Sequence, residues 1–163
     1  MATDTHHYLA ELRWTGNRGT GTAGYHAYGR DHEIHVAGKP VLHGSADPAF
    51  RGDPARHTPE DLFLAAAAAC HMLFYLALCA REGIRVLAYR DQAEGWLEAG
   101  PAGGRFRGIR LHPQVVLAPG SDPQRAAALH ATAHARCFIA NSCSVPVTCE
   151  PSSTVATEPP AWT

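Results

Sequence analysis

The chain has 163 residues, a formal net charge of -1, 45% apolar residues and 18% charged ones. That size and composition suit one folded domain with a hydrophobic core and exclude a disordered chain. There is no run of Lys or Arg, which argues against a nucleic-acid partner or a polybasic membrane contact, since both need clustered positive charge.

The first expected element is a half-buried strand from His7 to Trp14, with Tyr8, Ala10, Leu12 and Trp14 on one face and Glu11 and Arg13 on the other. Thr15 to Gly21 reads as turn material, followed by a second strand over Thr20 to Tyr28 and a short third over Glu33 to Val36. Gly38 to His57 has loop composition and contains Arg51 and Arg56. A structureless loop of that length is often functional. A helix then opens at Thr58-Pro59-Glu60-Asp61, with a capping residue, a proline at the first helical position and two acids at the positive end of the dipole. It runs to about Arg81 and stops near Gly83. Being apolar all round, it is expected to be buried all round, inside a sheet or at a dimer interface. Val86 to Leu97 and Phe106 to Leu117 read as strands joined by the turn Glu98 to Gly104. Ser121-Asp-Pro-Gln124 resembles a capping box and starts a second long helix to about Cys137. Cys143, Val145, Val147 and Cys149 fall on one face of a last strand. The resulting class is α+β, with one domain over residues 1–150 and a loosely held tail over 151–163 rich in Pro, Ser and Thr.

The uncharged stretch Leu62 to Ala80 is Ala-rich with His71 at its middle. A membrane span needs about 20 strongly apolar residues, so a core helix is the better reading. The opening Met1-Ala-Thr-Asp-Thr-His-His has neither a basic nor an apolar leader region, so the expected compartment is a reducing cytoplasm. There, five cysteines are packing residues, ligands or reagents rather than structural disulfides.

On a helix, Cys70 and Cys79 point to roughly opposite sides, so they do not pair with each other. Cys79 reads as core. Cys70 alone reads as a core residue sooner than as a reagent, because free cysteine is often buried. His130, His134 and Cys137 lie within about 60° of one another on the second helix. They are three legitimate zinc ligands, or a helix with two polar histidines and a buried thiol. His71 points about 100° away from Cys70, which suits packing better than a general-base role. Thiolate chemistry at Cys70 needs a positive partner, for which the loop arginines are available. A buried arginine needs a carboxylate in turn, and Glu60 at the helix start is placed to orient it. A peroxide lying between sulfur and guanidinium would leave a sulfenic acid, which a second cysteine condenses with.

The stretch Thr58-Pro59-Glu60-Asp61-Leu62-Phe63-Leu64-Ala65-Ala66-Ala67-Ala68-Ala69-Cys70 resembles the Asn-Pro-Glu-x-Leu and Ala-Ala-Cys signature of the OsmC/Ohr family. Cys137-Phe-Ile-Ala-Asn141-Ser142-Cys143-Ser-Val145-Pro146-Val147 resembles that family's Cys-Pro-x-Ser and Val-Pro-Val stretch. The resemblance covers about residues 8 to 150. It implies an intertwined homodimer, each half a curved antiparallel sheet wrapped around central helices. It also implies a thiol peroxidase of organic hydroperoxides, and more weakly of hydrogen peroxide, with no haem, flavin or metal and a dihydrolipoyl or similar dithiol as reductant. In that reading Cys70 is peroxidatic, Cys137 resolving, and Glu60 orients the arginine. Arg51 best matches the OsmC spacing, with Arg56 and Arg30 (by analogy with the Ohr branch) as alternatives. The sequence departs from the pattern at Thr58, which replaces Asn, and at Phe138, which replaces Pro. Cys143 is an extra thiol able to compete with Cys137. Two other readings stand beside this one. One is a non-catalytic OsmC-like binding or redox-sensing domain, and the other a zinc protein using His130, His134 and Cys137.

Overall fold

The structure, a computed structural model, describes residues 4–101 and 103–157. Two compact units divide the chain at Leu62/Phe63.

The first unit holds an antiparallel sheet in the order β1-β2-β3, made of Glu11–Trp14, His32–His35 and Leu42–Gly44. Leu12 faces Ile34 and Trp14 faces His32 across β1 and β2. The expected half-burial of the first strand is not met, because every residue of β1 is exposed. Tyr8 is 86% and Leu12 68% exposed, so the first unit by itself leaves this apolar edge uncovered. The expected strand at Thr20–Tyr28 is a run of turns and bends. Asn17 Oδ1 accepts the Gly19 and Gly21 N–H groups, and both glycines have positive φ. That local turn chemistry overrides the alternating pattern. The long loop is more ordered than its composition implies. It contains β3 and a 3₁₀ turn, Pro48–Phe50, capped by Asp47.

Helix α1 runs from Pro59 to Arg81. Its start is a reciprocal cap. Thr58 Oγ1 accepts the Asp61 N–H at 3.1 Å, and Asp61 Oδ2 accepts the Thr58 N–H at 2.9 Å.

In the second unit, β4 (Val86–Asp91), β5 (Glu94–Gly100), β6 (Gly103–Leu111) and β7 (Pro113–Leu117) form one long hairpin bent at a corner. The two strands expected from the sequence are therefore four. The break has a visible cause: Pro113 lacks an N–H, and the His112 N–H donates to Asp91 Oδ1 at 2.7 Å instead of to a ladder. Ala102 of the expected turn lies outside the described residues. Two helices follow, α2 (Pro123–Arg136) and α3 (Phe138–Ser142). The cap of α2 is Asp122 rather than Ser121, accepting from the Gln124 and Arg125 N–H groups.

The last expected strand is shorter than its pattern. β8 covers Val147–Cys149, and Cys143 lies outside it. Part of the expected loose tail is a strand: β9 (Ser152–Val155) pairs in parallel with β7, while β8 pairs in parallel with β6. Backbone pairing is indifferent to a polar side-chain composition, and β9 satisfies the free edge of β7. Residues 158–163 of that tail lie outside the described residues. The two sheets of the second unit, β4-β7-β9 and β5-β6-β8, are consequently mixed, and the sheet of the first is antiparallel.

Tyr75, Leu78 and Cys79 of α1 pack with Ile84, Val115, Leu117, Ala126 and Ala133 in one core cluster. Ala67 packs with Ile109 and Leu111 in a second. The buried residues of α1 thus form one stripe, and only 28% of its apolar window is buried. Ala65, Ala69, Leu73, Ala77 and Ala80 on its other side are exposed. The expectation of burial on all sides is not met among the described residues, because the second unit's strands and α2 cover one side of the helix.

Candidate active site

Cys70 sits on a face of α1 formed by Ala66, Leu73, Phe74 and Ala77, at spacings of a single helical stripe. With Phe138 and Ile139 of α3 these residues line an open apolar hollow of 460 Å³. Phe74 and Phe138 meet edge to face, with centroids 4.9 Å apart. Phe138, 70% exposed, thus forms a wall of the hollow.

Cys137, buried just before the lining residues Phe138 and Ile139, terminates one helix and starts the next. It is the C-cap of α2 and the N-cap of α3, in extended conformation, and its Sγ accepts the Ala140 N–H at 3.5 Å. Burial is the main influence on its thiol and pushes its pKa up. The Ala140 N–H works against this, and the adjacent Cys70 thiol adds to it. The two sequence-predicted thiols are therefore neighbours. All five cysteines are free. Cys143, the possible competitor, donates its S–H to the Ala140 carbonyl at 3.6 Å.

Glu60 lies in the first turn of α1, ten residues before Cys70. Among the described residues, no ion pair joins it to Arg51, Arg56 or Arg30. Arg56 is paired with Asp31 at 3.6 Å and Asp53 at 3.4 Å. Arg30 lies over the rings of Tyr25 and Tyr28 and donates to both their carbonyls. Arg51 follows the 3₁₀ turn with φ 69°, the left-handed region that non-glycine residues avoid. It is exposed, and among the described residues no carboxylate pairs with it.

The zinc trio His130, His134 and Cys137 is not formed. The imidazole of His130 turns inward to His71, with His130 Nδ1 3.0 Å from His71 Nε2, while Cys137 sits beside Cys70. Helical spacing placed the three on one face. The chain leaves helical geometry at Cys137, so its side chain is redirected. The sequence reading missed that His71 and His130 are buried together, and that Cys149 Sγ lies 3.5 Å from His71 Nε2. Two histidines 59 residues apart carry no local signal of contact.

Burial drives the pKa of both His71 and His130 down to about 4. The neighbouring His134 contributes for the first and His71 for the second. The unfolded chain takes up these protons near pH 6.5 and the folded one only near 4. Stability from this source is thus complete above pH 6.5 and is lost as pH falls toward 4. In metal-free protein, the urea midpoint is expected to fall over that window, and less steeply in His130→Gln. Equal slopes in the two proteins would refute this.

A mixed sheet packed on a long apolar helix, with a thiol pair at an apolar hollow on that helix, defines an α+β thiol protein. The chain belongs to the OsmC-like protein family, whose family model matches residues 52–152. No curated protein matches the chain. Among solved structures, an OsmC-like protein of unknown function from Vibrio cholerae is 31% identical with a TM-score of 0.82, covering 91% of this chain and 100% of that one. An organic hydroperoxide resistance protein OsmC from Legionella pneumophila is 22% identical with a TM-score of 0.67, covering 94% of this chain and 100% of that one. The organic hydroperoxide resistance protein OhrB of Bacillus subtilis is 19% identical with a TM-score of 0.62, covering 90% and 98%. The last two show a shared fold.

Proposed function

We propose that the chain is a cysteine-based peroxidase of organic hydroperoxides, and more weakly of hydrogen peroxide. The observation that carries this reading is the adjacency of Cys70 and Cys137 at an apolar hollow. The Cys70 thiolate attacks the peroxide's terminal oxygen, the O–O bond breaks, and the alkoxide leaves as alcohol after taking a proton. Cys137 then displaces water from the Cys70 sulfenic acid to give a disulfide. A dithiol such as dihydrolipoamide reduces that disulfide and closes the cycle. The apolar walls favour alkyl and lipid peroxides over hydrogen peroxide. Arg51 is the positive partner of the reaction, since Arg56 and Arg30 are already engaged, and Glu60 orients it.

The test is consumption of cumene hydroperoxide by pure protein with excess dihydrolipoamide. Many turnovers per chain support the reading. A halt after one equivalent would move it to the second reading, a redox-sensing or binding domain. That alternative is favoured by the absence, among the described residues, of an ion pair between Glu60 and any of the three arginines.

The working form in this reading is a cytoplasmic homodimer. Each unit leaves an apolar surface uncovered, β1 with Tyr8 and Leu12 in the first and the Ala65-Ala69-Leu73-Ala77-Ala80 stripe in the second. Small residues at that spacing suit close approach of a second copy. Leu73→Glu is expected to shift sedimentation from dimer to monomer, by burying an unpaired charge at the contact. A variant that remained dimeric would remove this stripe from the interface.

A further inference from the structure

Three metal-ligating atoms from three different elements converge in the interior of the second unit. His71 of α1, His130 of α2 and Cys149 of β8 each offer one, all within 4.8 Å of one another. His71 Nε2 is 3.0 Å from His130 Nδ1 and 3.5 Å from Cys149 Sγ. Tetrahedral zinc, with Zn–N about 2.0 Å and Zn–S about 2.3 Å, sets N···N at about 3.3 Å and N···S at about 3.5 Å. A small outward movement of one imidazole therefore opens the space an ion needs.

Protons serve this cluster poorly. His71 Nε2 faces two neighbours at once and can donate to only one of them. His71 Nδ1, on the other side of the ring, is buried and makes no hydrogen bond among the described residues. Placing the ring proton on Nδ1 sacrifices no bond and leaves the Nε2 lone pair directed at the shared point. Farther along the same interior, the Tyr89 hydroxyl and Asp91 Oδ2 are also buried without partners, and Asp91 is close enough for its charge to act on Cys149. Buried polar groups without partners are uncommon in folded proteins, and Tyr89 and Asp91 lie outside the ligand trio itself.

We propose that His71, His130 and Cys149 form a zinc site with two imidazole ligands and one thiolate. His71 is one residue, about 100° of helix, from Cys70. It belongs to the buried stripe of α1, whereas Cys70 belongs to the hollow. The site is thus separate from the peroxide chemistry and ties α1, α2 and β8 together. Its fourth position falls to water on the side of Cys149, which alone of the three is not fully buried. On binding, the Cys149 S–H bond is replaced by S–Zn and that proton leaves to solvent. His130 carries its ring proton on Nε2 and coordinates through Nδ1. No oxidation or reduction is involved, and one proton is released per ion.

The test uses the full chain carrying Cys70→Ser and Cys137→Ser, so that neither thiol of the hollow competes for metal, titrated with cobalt(II). A thiolate-to-cobalt charge-transfer band should saturate at one ion per chain, disappear on addition of zinc, and be absent when Cys149→Ser or His130→Gln is added. Absence of the band, or its survival in Cys149→Ser, overturns the proposal. A second readout does not depend on how those variants fold. In the Cys70→Ser, Cys137→Ser chain itself, stoichiometric zinc should slow alkylation of Cys149 by iodoacetamide about tenfold or more, because the coordinated sulfur is withheld from the reagent. An unchanged rate overturns it equally.

Discussion

Cys70→Ser is expected to lower hydroperoxide turnover at least about a thousandfold, because a serine hydroxyl is a far weaker nucleophile at neutral pH and no other thiol shares its position. The structure sets this residue apart from the other four cysteines. Cys79 is packed among Tyr75, Leu78 and Val115, Cys149 faces His71, and Cys143 is bonded to a backbone carbonyl. Cys70 lines the apolar hollow with a thiol beside it. Cys137→Ser is expected to behave differently. One equivalent of peroxide should be consumed, and Cys70 should then accumulate as a sulfenic acid that a dimedone-type reagent traps. The two variants together separate attack from resolution. Full turnover in Cys70→Ser would sink the assignment, and full turnover in Cys137→Ser would transfer the resolving role, with Cys143 the first residue to test.

The second large effect is expected at Arg51. Replacing it with glycine should reduce kcat/KM about a hundredfold to a thousandfold, the typical cost of removing one donor aimed at developing negative charge. Stability should change by less than about 1 kcal/mol, because glycine relieves the left-handed backbone at φ 69° while adding freedom to the unfolded chain. That separation matters, since a loss of activity without a loss of fold is hard to attribute to packing. Arg56→Ala is the control. Its ion pairs with Asp31 and Asp53 are partly exposed, and exposed pairs contribute about 0–1 kcal/mol. Its turnover should stay within a few-fold of the parent. If Arg56→Ala fails and Arg51→Gly does not, the roles are exchanged, and Arg51 is merely a strained turn residue.

The local signals in the sequence were enough for the two long helices. Thr58-Pro59-Glu60-Asp61 carries a cap, a proline and two acids within four residues, and α1 begins there because each of those preferences acts through the nearest backbone groups. The same holds for Asp122-Pro123 at the start of α2. The family resemblance through Glu60, Cys70 and Cys137 rests on short contiguous motifs, and the family match over residues 52–152 agrees with it. The alternation of Ile109, Leu111, Val115 and Leu117 likewise marks the buried face, because period-two patterning survives the bend at His112.

Tertiary structure decided what those local rules do not encode. β9 forms because β7 offers an unpaired edge, a condition that no property of Ser152–Val155 announces. Thr20–Tyr28 stays out of any strand because Asn17 and two positive-φ glycines commit it to turns. Helical spacing grouped His130 with His134 and Cys137, but the chain leaves the helix at Cys137, and the packing of α2 against α1 brings His130 to His71 instead. Contacts between residues tens of positions apart depend on how whole elements stack. The sequence therefore determined the family and the limits of the two long helices, whereas the His71, His130 and Cys149 cluster exists only once the helices and β8 have packed.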